Sequence, residues 1–154
     1  MGQIDKRLAE LGVTLPPVAK PVANYVGWVK TGNLVFTAGQ VTLSEGKIIY
    51  QGKVGKEISL DDANKAARLC AINILSQLKD ACGGDLDRVV RIVKLVGFVN
   101  AVPEFTDHPK VINGASDFLV EVFGDRGKHA RSAVGSGSLP FNVGVEVEAV
   151  AEIA

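Results

Sequence analysis

The sequence has little of what several classes of protein require. Its 154 residues include two cysteines and two histidines, aromatic residues make up 6%, and the formal net charge is zero. A protein that coats nucleic acid needs excess positive charge to neutralise phosphates and usually offers aromatic side chains on which bases stack. Because the sequence shows neither feature, we expect no nucleic-acid partner.

The cysteines and the hydropathy pattern indicate a cellular compartment. Cys70 and Cys82 lie twelve residues apart in a helical pattern, and twelve residues of helix span about 18 Å, beyond the reach of a disulfide. We therefore expect two free thiols in a reducing compartment. The N-terminal residues lead into no apolar stretch typical of a secretory signal, and no apolar run is long enough to cross a bilayer. The sequence thus predicts a cytoplasmic protein that does not associate with membranes.

Metal and cofactor sites lack their usual residue patterns as well. His108 and His129 lie at no ligand spacing from each other or from a cysteine, so we expect no metal. There is no P-loop and no dinucleotide fingerprint, and we expect no organic cofactor. A Ser-His-Asp triad stays open as an alternative, although no Gly-x-Ser-x-Gly segment marks a nucleophile.

The composition that remains is that of an ordinary globular domain. Hydrophobic residues make up 47% of the chain and charged residues 22%, and a chain of this length suits one hydrophobic core. We predict a single domain over residues 1–154. Within it, residues 1–20 form a short amphipathic helix (4–11) and an extended lead-in that Pro16, Pro17 and Pro21 impose.

Periodicity predicts two long helices and six strands. Ser59 is a good N-cap for the first helix, Gly83 and Gly84 end it, Pro109 suits the first turn of the second helix, and Gly124 ends that one. Apolar and β-branched segments predict strands over residues 26–30, 34–38, 47–50, 89–99, 131–138 and 143–153. This order favours an α+β fold with both long helices on one face of a mixed sheet.

The residues that invite a functional interpretation lie in the last third of the chain. Arg131 begins an apolar strand, and a guanidinium there could grip a carboxylate through two parallel hydrogen bonds. From spacing alone, a surface arginine or an ion-paired strand end is the commoner explanation. In the last strand the valines at 143, 145 and 147 alternate with Gly144, Glu146 and Glu148, so these carboxylates lie on the other face of the sheet.

Two segments carry a resemblance to a known family. Arg131-Ser132-Ala133-Val134, then Leu139-Pro140, then residues 145–151 (VEVEAVA) resemble the C-terminal signature of the Rid (reactive intermediate deaminase) family, also called YjgF-like or L-PSP endoribonuclease-like. Residues 33–41 (NLVFTAGQV) resemble its N-terminal signature. Both signatures occur in the family's order and with its internal spacing, and the similarity runs from about residue 25 to residue 153.

The resemblance implies a fold, an assembly and an activity. The fold is chorismate-mutase-like α+β, and the assembly is a homotrimer with ligand clefts between subunits. The activity is cofactor-free hydrolysis of reactive enamines and imines, such as 2-aminoacrylate, to 2-keto acids and ammonia. Arg131 matches the arginine that binds the substrate carboxylate, and Glu146 matches the glutamate linked to the attacking water. The other matches are substrate-binding positions of the cleft: Tyr25, Ala38, Gly39, Asn113 and Ala133.

The sequence also departs from the better-known members of the family. Ala133 stands where many of them have cysteine, so a thiol cannot act there. Residues 135–138 (GSGS) are smaller than the usual strand residues, and we expect a roomier and more polar cleft wall. These departures indicate a side branch of the family. They leave open a protein that binds a small carboxylate without turnover and, less favoured because of the zero net charge, an endoribonuclease acting on single-stranded RNA.

Overall fold

A five-stranded mixed sheet forms the frame of the protein. The computed structural model describes residues 1–18, 21 and 23–154. The strands of the sheet lie in the order β1-β2-β7-β5-β6. All neighbours are antiparallel except β5 and β6, which are parallel. The bounds are β1 Trp28–Thr31, β2 Leu34–Thr37, β5 Val89–Asn100, β6 Ala130–Ser136 and β7 Val145–Ile153. The main strands predicted from the sequence are therefore confirmed, and β1 and β6 are the two edges.

The predicted third strand is only partly right. Residues 47–50 contribute a two-residue strand, β4 (Lys47–Ile48), which pairs outside the main sheet with β3 (Leu43–Ser44), a strand that the sequence pattern did not predict. Tyr50 explains the early end, because its φ of 54° lies in the left-handed region and breaks the extended backbone.

Both long helices pack on one face of the sheet, as predicted. The first, α2 (Leu60–Ala81), begins at Ser59, whose hydroxyl accepts the Asp62 N–H at 3.1 Å. The second, α3 (His108–Phe123), ends at Gly124, whose φ is 64°. Cys70 and Cys82 are free and buried, in agreement with the sequence analysis. Within the described residues, no helix is both long and apolar enough to span a membrane.

The short N-terminal helix is held against the end of the sheet by an acidic side chain distant in sequence. In α1 (Gln3–Glu10), the first N–H groups, those of Gln3 and Ile4, both donate to the Asp87 carboxylate at 2.9 Å. Those hydrogen bonds lower the pKa of Asp87. Arg7 donates from Nε to the Glu121 carbonyl on α3 at 2.7 Å. The last residues of the predicted lead-in, 19 and 20, lie outside the described residues.

The face of the sheet away from the helices, which we call the open face, is set by strand alternation. The odd residues of β7 from 145 to 153 are buried beneath the helices, so the even residues point the other way. The register across the sheet then assigns the following side chains to the open face: Val29, Phe36, Val96, Phe98, Val134, Glu146, Glu148 and Val150. Val29, Phe36 and Val134 are large apolar side chains that remain exposed.

Replacing Gly114 by alanine should weaken the contact between α2 and α3. A Cβ at this position would overlap the backbone carbonyl of Asn64 on α2, and Asn64 is itself tied to α3 by a 2.9 Å bond from Nδ2 to the Lys110 carbonyl. Because a backbone oxygen cannot turn aside, we expect a loss of about 1–3 kcal/mol in the free energy of unfolding, measured with urea. Gly137→Ala is the matched control, since a Cβ there meets nothing within 4 Å. Equal stabilities for the two variants would contradict the close approach.

Candidate functional site

Arg131 reaches over α3 from the edge strand and is held there by neutral groups. Its Nη1 donates to Asn113 Oδ1 at 2.8 Å and to Ser116 Oγ at 3.1 Å, and Nη2 makes a long contact of 3.4 Å with the Pro109 carbonyl. Asn113 and Ser116 are three residues apart and therefore share one face of the helix. The structure thus brings two of the predicted site residues, Arg131 and Asn113, into direct contact.

The guanidinium keeps one edge open and its charge unpaired. Both Nη1 hydrogens are used, whereas Nε donates to no atom of the described residues. Arg131 takes part in none of the ion pairs found in the described part of the chain. The edge formed by Nε and Nη2 is the one that binds a carboxylate through two parallel hydrogen bonds. The described part of the chain thus places no anion at this edge of Arg131.

His129 completes a small pocket beside Arg131. The pocket has a volume of about 250 Å³ and is lined by Ser116, Val120, Lys128, His129 and Arg131. His129 lies between two hydrogen-bond partners, with Nδ1 2.6 Å from the Gly127 carbonyl and Nε2 2.8 Å from Ser116 Oγ. Burial lowers the pKa of His129, the Arg131 charge lowers it further, and the bond to Gly127 opposes both effects. The site near Arg131 thus contains an imidazole that burial favours in its neutral form.

Glu146 lies elsewhere in the same chain. Its side chain is half-buried on the open face, while Arg131 points to the helix side of the sheet. Burial raises the pKa of Glu146, and the neighbouring Glu148 raises it further. Gly39 lies against this carboxylate so closely that a Cβ would overlap it. Glu146 and Gly39 therefore form a second group, separate from Arg131 and Asn113.

Tyr25, Ala38 and Gly39 line a third feature, a large cavity. It has a volume of about 810 Å³ and lies between the lead-in and α2. Its polar side chains already have structural partners: Asn73 Nδ2 donates to the Val41 and Leu43 carbonyls, each at 3.0 Å. The cavity is lined by two charged side chains, Arg68 and Glu45, and Arg68 lies over the Phe118 ring. The groups whose pKa is shifted near the predicted site residues, His129 and Glu146, do not line it.

The strand that carries Arg131 also presents Ala133 and Gly135 toward the helices. Ala133 is half-buried and packs against the core. The expectation of extra room at residues 135–138 is wrong at Gly135, because a Cβ there would lie 2.7 Å from His108 Nε2. The absent side chain is thus replaced by the imidazole of His108, which also packs edge-on against Phe105 with ring centroids 5.4 Å apart.

Sequence reasoning missed Ser116 and His129 as neighbours of Arg131. His129 lies two residues before Arg131 in the sequence. Its Nε2 lies 2.8 Å from the Oγ of Ser116, which belongs to α3. The one available signal was the spacing of Ser116 and Asn113, which places both on the same helix face. No local pattern indicates which part of the chain that face meets.

Comparison with known proteins identifies the family. A sequence profile described as YjgF/chorismate mutase-like, putative endoribonuclease, matches residues 5–153. The protein TCP17 of Trypanosoma cruzi is 42% identical over 153 residues, which cover 99% of this chain and 95% of that protein. This chain belongs to the YjgF/chorismate mutase-like family.

Solved structures agree with that assignment. A protein of unknown function from Agrobacterium tumefaciens is 50% identical and superposes with a TM-score of 0.93, over 98% of this chain and 92% of that one. The TdcF protein of Escherichia coli, solved with bound serine, is 25% identical with a TM-score of 0.63, over 91% of this chain and 94% of that one. The predicted family and α+β fold are therefore confirmed.

Replacing Glu146 by glutamine should stabilise the protein at neutral pH. Folding raises the pKa of the Glu146 carboxyl. Such a group stabilises the protein at low pH, and this stabilisation is lost as the pH rises through the pKa of the folded state. Glu146→Gln removes that loss, so we expect its free energy of unfolding to exceed that of the wild type at pH 7.5. The difference should shrink as the pH falls toward 4.5, the ordinary value.

Urea unfolding across this pH range, at a fixed protein concentration, measures the effect. Glu104→Gln makes the same charge change at an exposed position and serves as the control. A difference that stays constant with pH would show that titration of Glu146 is not its cause.

Proposed function

We propose that the protein hydrolyses small enamines and imines that carry a carboxylate, such as 2-aminoacrylate, to 2-keto acids and ammonia. The observation that carries the proposal is the open edge of Arg131, a guanidinium fixed by neutral partners and lacking an anionic one in the described chain. Such an edge suits a small carboxylate, which would be held through two hydrogen bonds. The serine bound to the TdcF relative is likewise a small molecule with a carboxylate.

The chemistry needs only positioning and proton transfer. The carbon of an imine is already electrophilic, so water can add to it without a metal or an organic cofactor. Arg131 would fix the substrate, and a carboxylate such as Glu146 would accept the proton of the attacking water, a contribution typically worth about 10²–10⁴-fold. Burial and Glu148 raise the pKa of Glu146, which makes its carboxylate a better base than an ordinary glutamate.

These groups can act together only across a subunit contact. Arg131 lies on β6, one edge of the sheet, whereas Gly39 follows β2, next to the opposite edge, and Glu146 lies with it on the open face. A ring of identical subunits would bring the β6 edge of one copy against the β1–β2 side of the next. Exposed Val29, Phe36 and Val134 on the open face favour the same conclusion, since such apolar surface is usually covered. We propose a homotrimer, as in the family that the sequence resembles.

The first test couples the protein to a PLP-dependent serine dehydratase, which releases 2-aminoacrylate. We expect the wild type to accelerate keto acid formation and Arg131→Ala to lose that acceleration, by at least about 100-fold. Arg91→Ala is a matched control, because it removes an exposed strand arginine whose ion pair with Glu152 is long, at 3.7 Å. Acceleration that persists in Arg131→Ala would refute the proposal, and saturable serine binding without turnover would favour the ligand-binding alternative.

Mixed trimers test whether the cleft is shared. Arg131→Ala and Glu146→Gln chains, each inactive alone, are co-expressed with different affinity tags in equal amounts. Random mixing into rings leaves about a quarter of the clefts with Arg131 from one chain and Glu146 from the next, so about a quarter of wild-type activity should return. If both residues served one cleft from the same chain, no intact cleft would form and activity would stay at background.

A further inference from the structure

Ser116 and His129 form a hydrogen-bonded pair that imine hydrolysis as proposed above does not use. The Gly127 carbonyl can only accept, so the His129 Nδ1 that lies 2.6 Å from it carries the proton in the neutral ring. Nε2 is then a lone pair, and the Ser116 hydroxyl 2.8 Å away must donate to it. The serine proton therefore already points at a base.

The surroundings of the Ser116 oxygen favour its activation. Arg131 Nη1 donates to the same Oγ at 3.1 Å, and a positive charge at that distance stabilises an alkoxide. Asn113, one turn earlier on α3, uses its Oδ1 for Arg131, which leaves the Nδ2 donor without an acceptor in the described part of the chain. A free amide donor one turn from Ser116 suits an oxygen that develops negative charge.

A purely structural pair would link α3 to the start of β6 within the core. Ser116 and His129 instead line the 250 Å³ pocket and are only half-buried. In a catalytic triad, a nucleophile contacts a base, and a third group orients that base. Here Ser116 contacts His129, and the Gly127 carbonyl orients His129 in the place that a carboxylate has in a triad. The arrangement is recognised by geometry and not by a sequence segment, which is why no Gly-x-Ser-x-Gly pattern accompanies it.

We propose that Ser116 and His129 are a nucleophile and its base, and that they hydrolyse small esters whose acyl group carries a carboxylate. The free edge of Arg131 would hold the carboxylate, while the ester carbonyl would lie at Ser116. This activity does not depend on imine hydrolysis, because every group it uses belongs to α3, the start of β6 or the loop between them in one chain.

The reaction proceeds in two balanced steps. Ser116 Oγ attacks the ester carbonyl as its proton passes to His129 Nε2, and the C–O bond to the alcohol breaks as that proton is delivered to the departing oxygen. Water then attacks the acyl-serine and gives one proton to His129, which returns it to Ser116 Oγ as the C–O bond to the serine breaks. The new carboxyl group keeps the other water proton and loses it to solvent as it ionises. No oxidant, metal or cofactor takes part in either step.

The volume of the pocket suits a short acyl chain. This small volume and the position of Arg131 beside Ser116 suit a dicarboxylic half-ester. Val120 offers one apolar wall. Lys128 at the rim is paired with Asp125 at 3.2 Å and adds little net charge. Discrimination therefore depends on Arg131, which distinguishes a charged acyl group from a neutral one of the same length.

Hydrolysis of monoethyl succinate and of ethyl butyrate, followed by NMR, tests the activity with the full chain. We expect kcat/KM to be at least about 10-fold higher for the half-ester, and Ser116→Ala and His129→Gln to lose about 100-fold or more. Ser44→Ala replaces a serine on β3, distant from the pair, and should keep the activity. Size exclusion and circular dichroism establish that each variant has the wild-type assembly and fold.

A covalent probe tests the nucleophile in the wild-type protein, without any substitution. A small alkyl fluorophosphonate should form a P–O bond with Ser116 Oγ and release fluoride, and peptide mass spectrometry of the wild type would locate the adduct there. Ester hydrolysis that Ser116→Ala leaves unchanged, or a wild type that neither hydrolyses the half-ester nor takes the label on Ser116, would overturn the proposal. A negative dehydratase assay would affect only imine hydrolysis, because the two experiments share no substrate.

Discussion

The positive charge of Arg131 is held without a negative partner, and the arrangement of the site depends on this. Every group that orients the guanidinium in the described chain is neutral: an amide oxygen, a hydroxyl and, more distantly, a backbone carbonyl. A carboxylate in any of these places would neutralise the charge and occupy the donors that a ligand needs. Neutral acceptors fix the direction of the side chain and leave its charge available.

The alternation of side chains along the strands decides what one chain can do by itself. Arg131 points to the helix side of the sheet and Glu146 to the open face, so no rotation of either side chain brings them together within one subunit. On the helix side, the polar side chains that contact Arg131 are Asn113 and Ser116, and Ser116 in turn contacts His129. Within the described chain, the imidazole of His129 therefore lies near Arg131 and the Glu146 carboxylate does not, which is why the proposed imine hydrolysis requires a second copy.

Much of the frame follows from local signals in the sequence. Ser59, Pro109 and Gly124 mark helix boundaries because each satisfies a specific backbone requirement, and alternation in the last strand correctly places the valines inside. Of the short hairpin, β3 was not predicted, because a two-residue strand carries almost no periodicity. The early end of β4 depends on a positive φ at Tyr50. The sequence does not predict this conformation, because aromatic residues rarely adopt it.

The site was predictable only in part, for a different reason. Resemblance to the family selected Arg131 and Asn113, which the structure places in contact, and Gly39 and Glu146, which it places in contact elsewhere. It could not select Ser116 or His129, since their meeting depends on how α3 lies across the start of β6. Likewise the glycine at 135 suggested space, whereas a histidine distant in sequence fills it.

The unfavourable electrostatic environments of Glu146 and His129 support the site independently of the resemblance to the family. Folding places Glu146 beside Glu148 in a half-buried position, which raises the pKa of Glu146, and it half-buries His129 next to a fixed positive charge, which lowers the pKa of His129. Neither arrangement stabilises the fold at neutral pH, and Arg131 forms no ion pair with any described residue. Groups whose pKa is shifted by burial together with a neighbouring charge are concentrated where proteins bind ligands or transfer protons. Both arrangements fall in segments that the family signatures cover or adjoin, so energetics and resemblance, which share no premises, select the same region of the molecule.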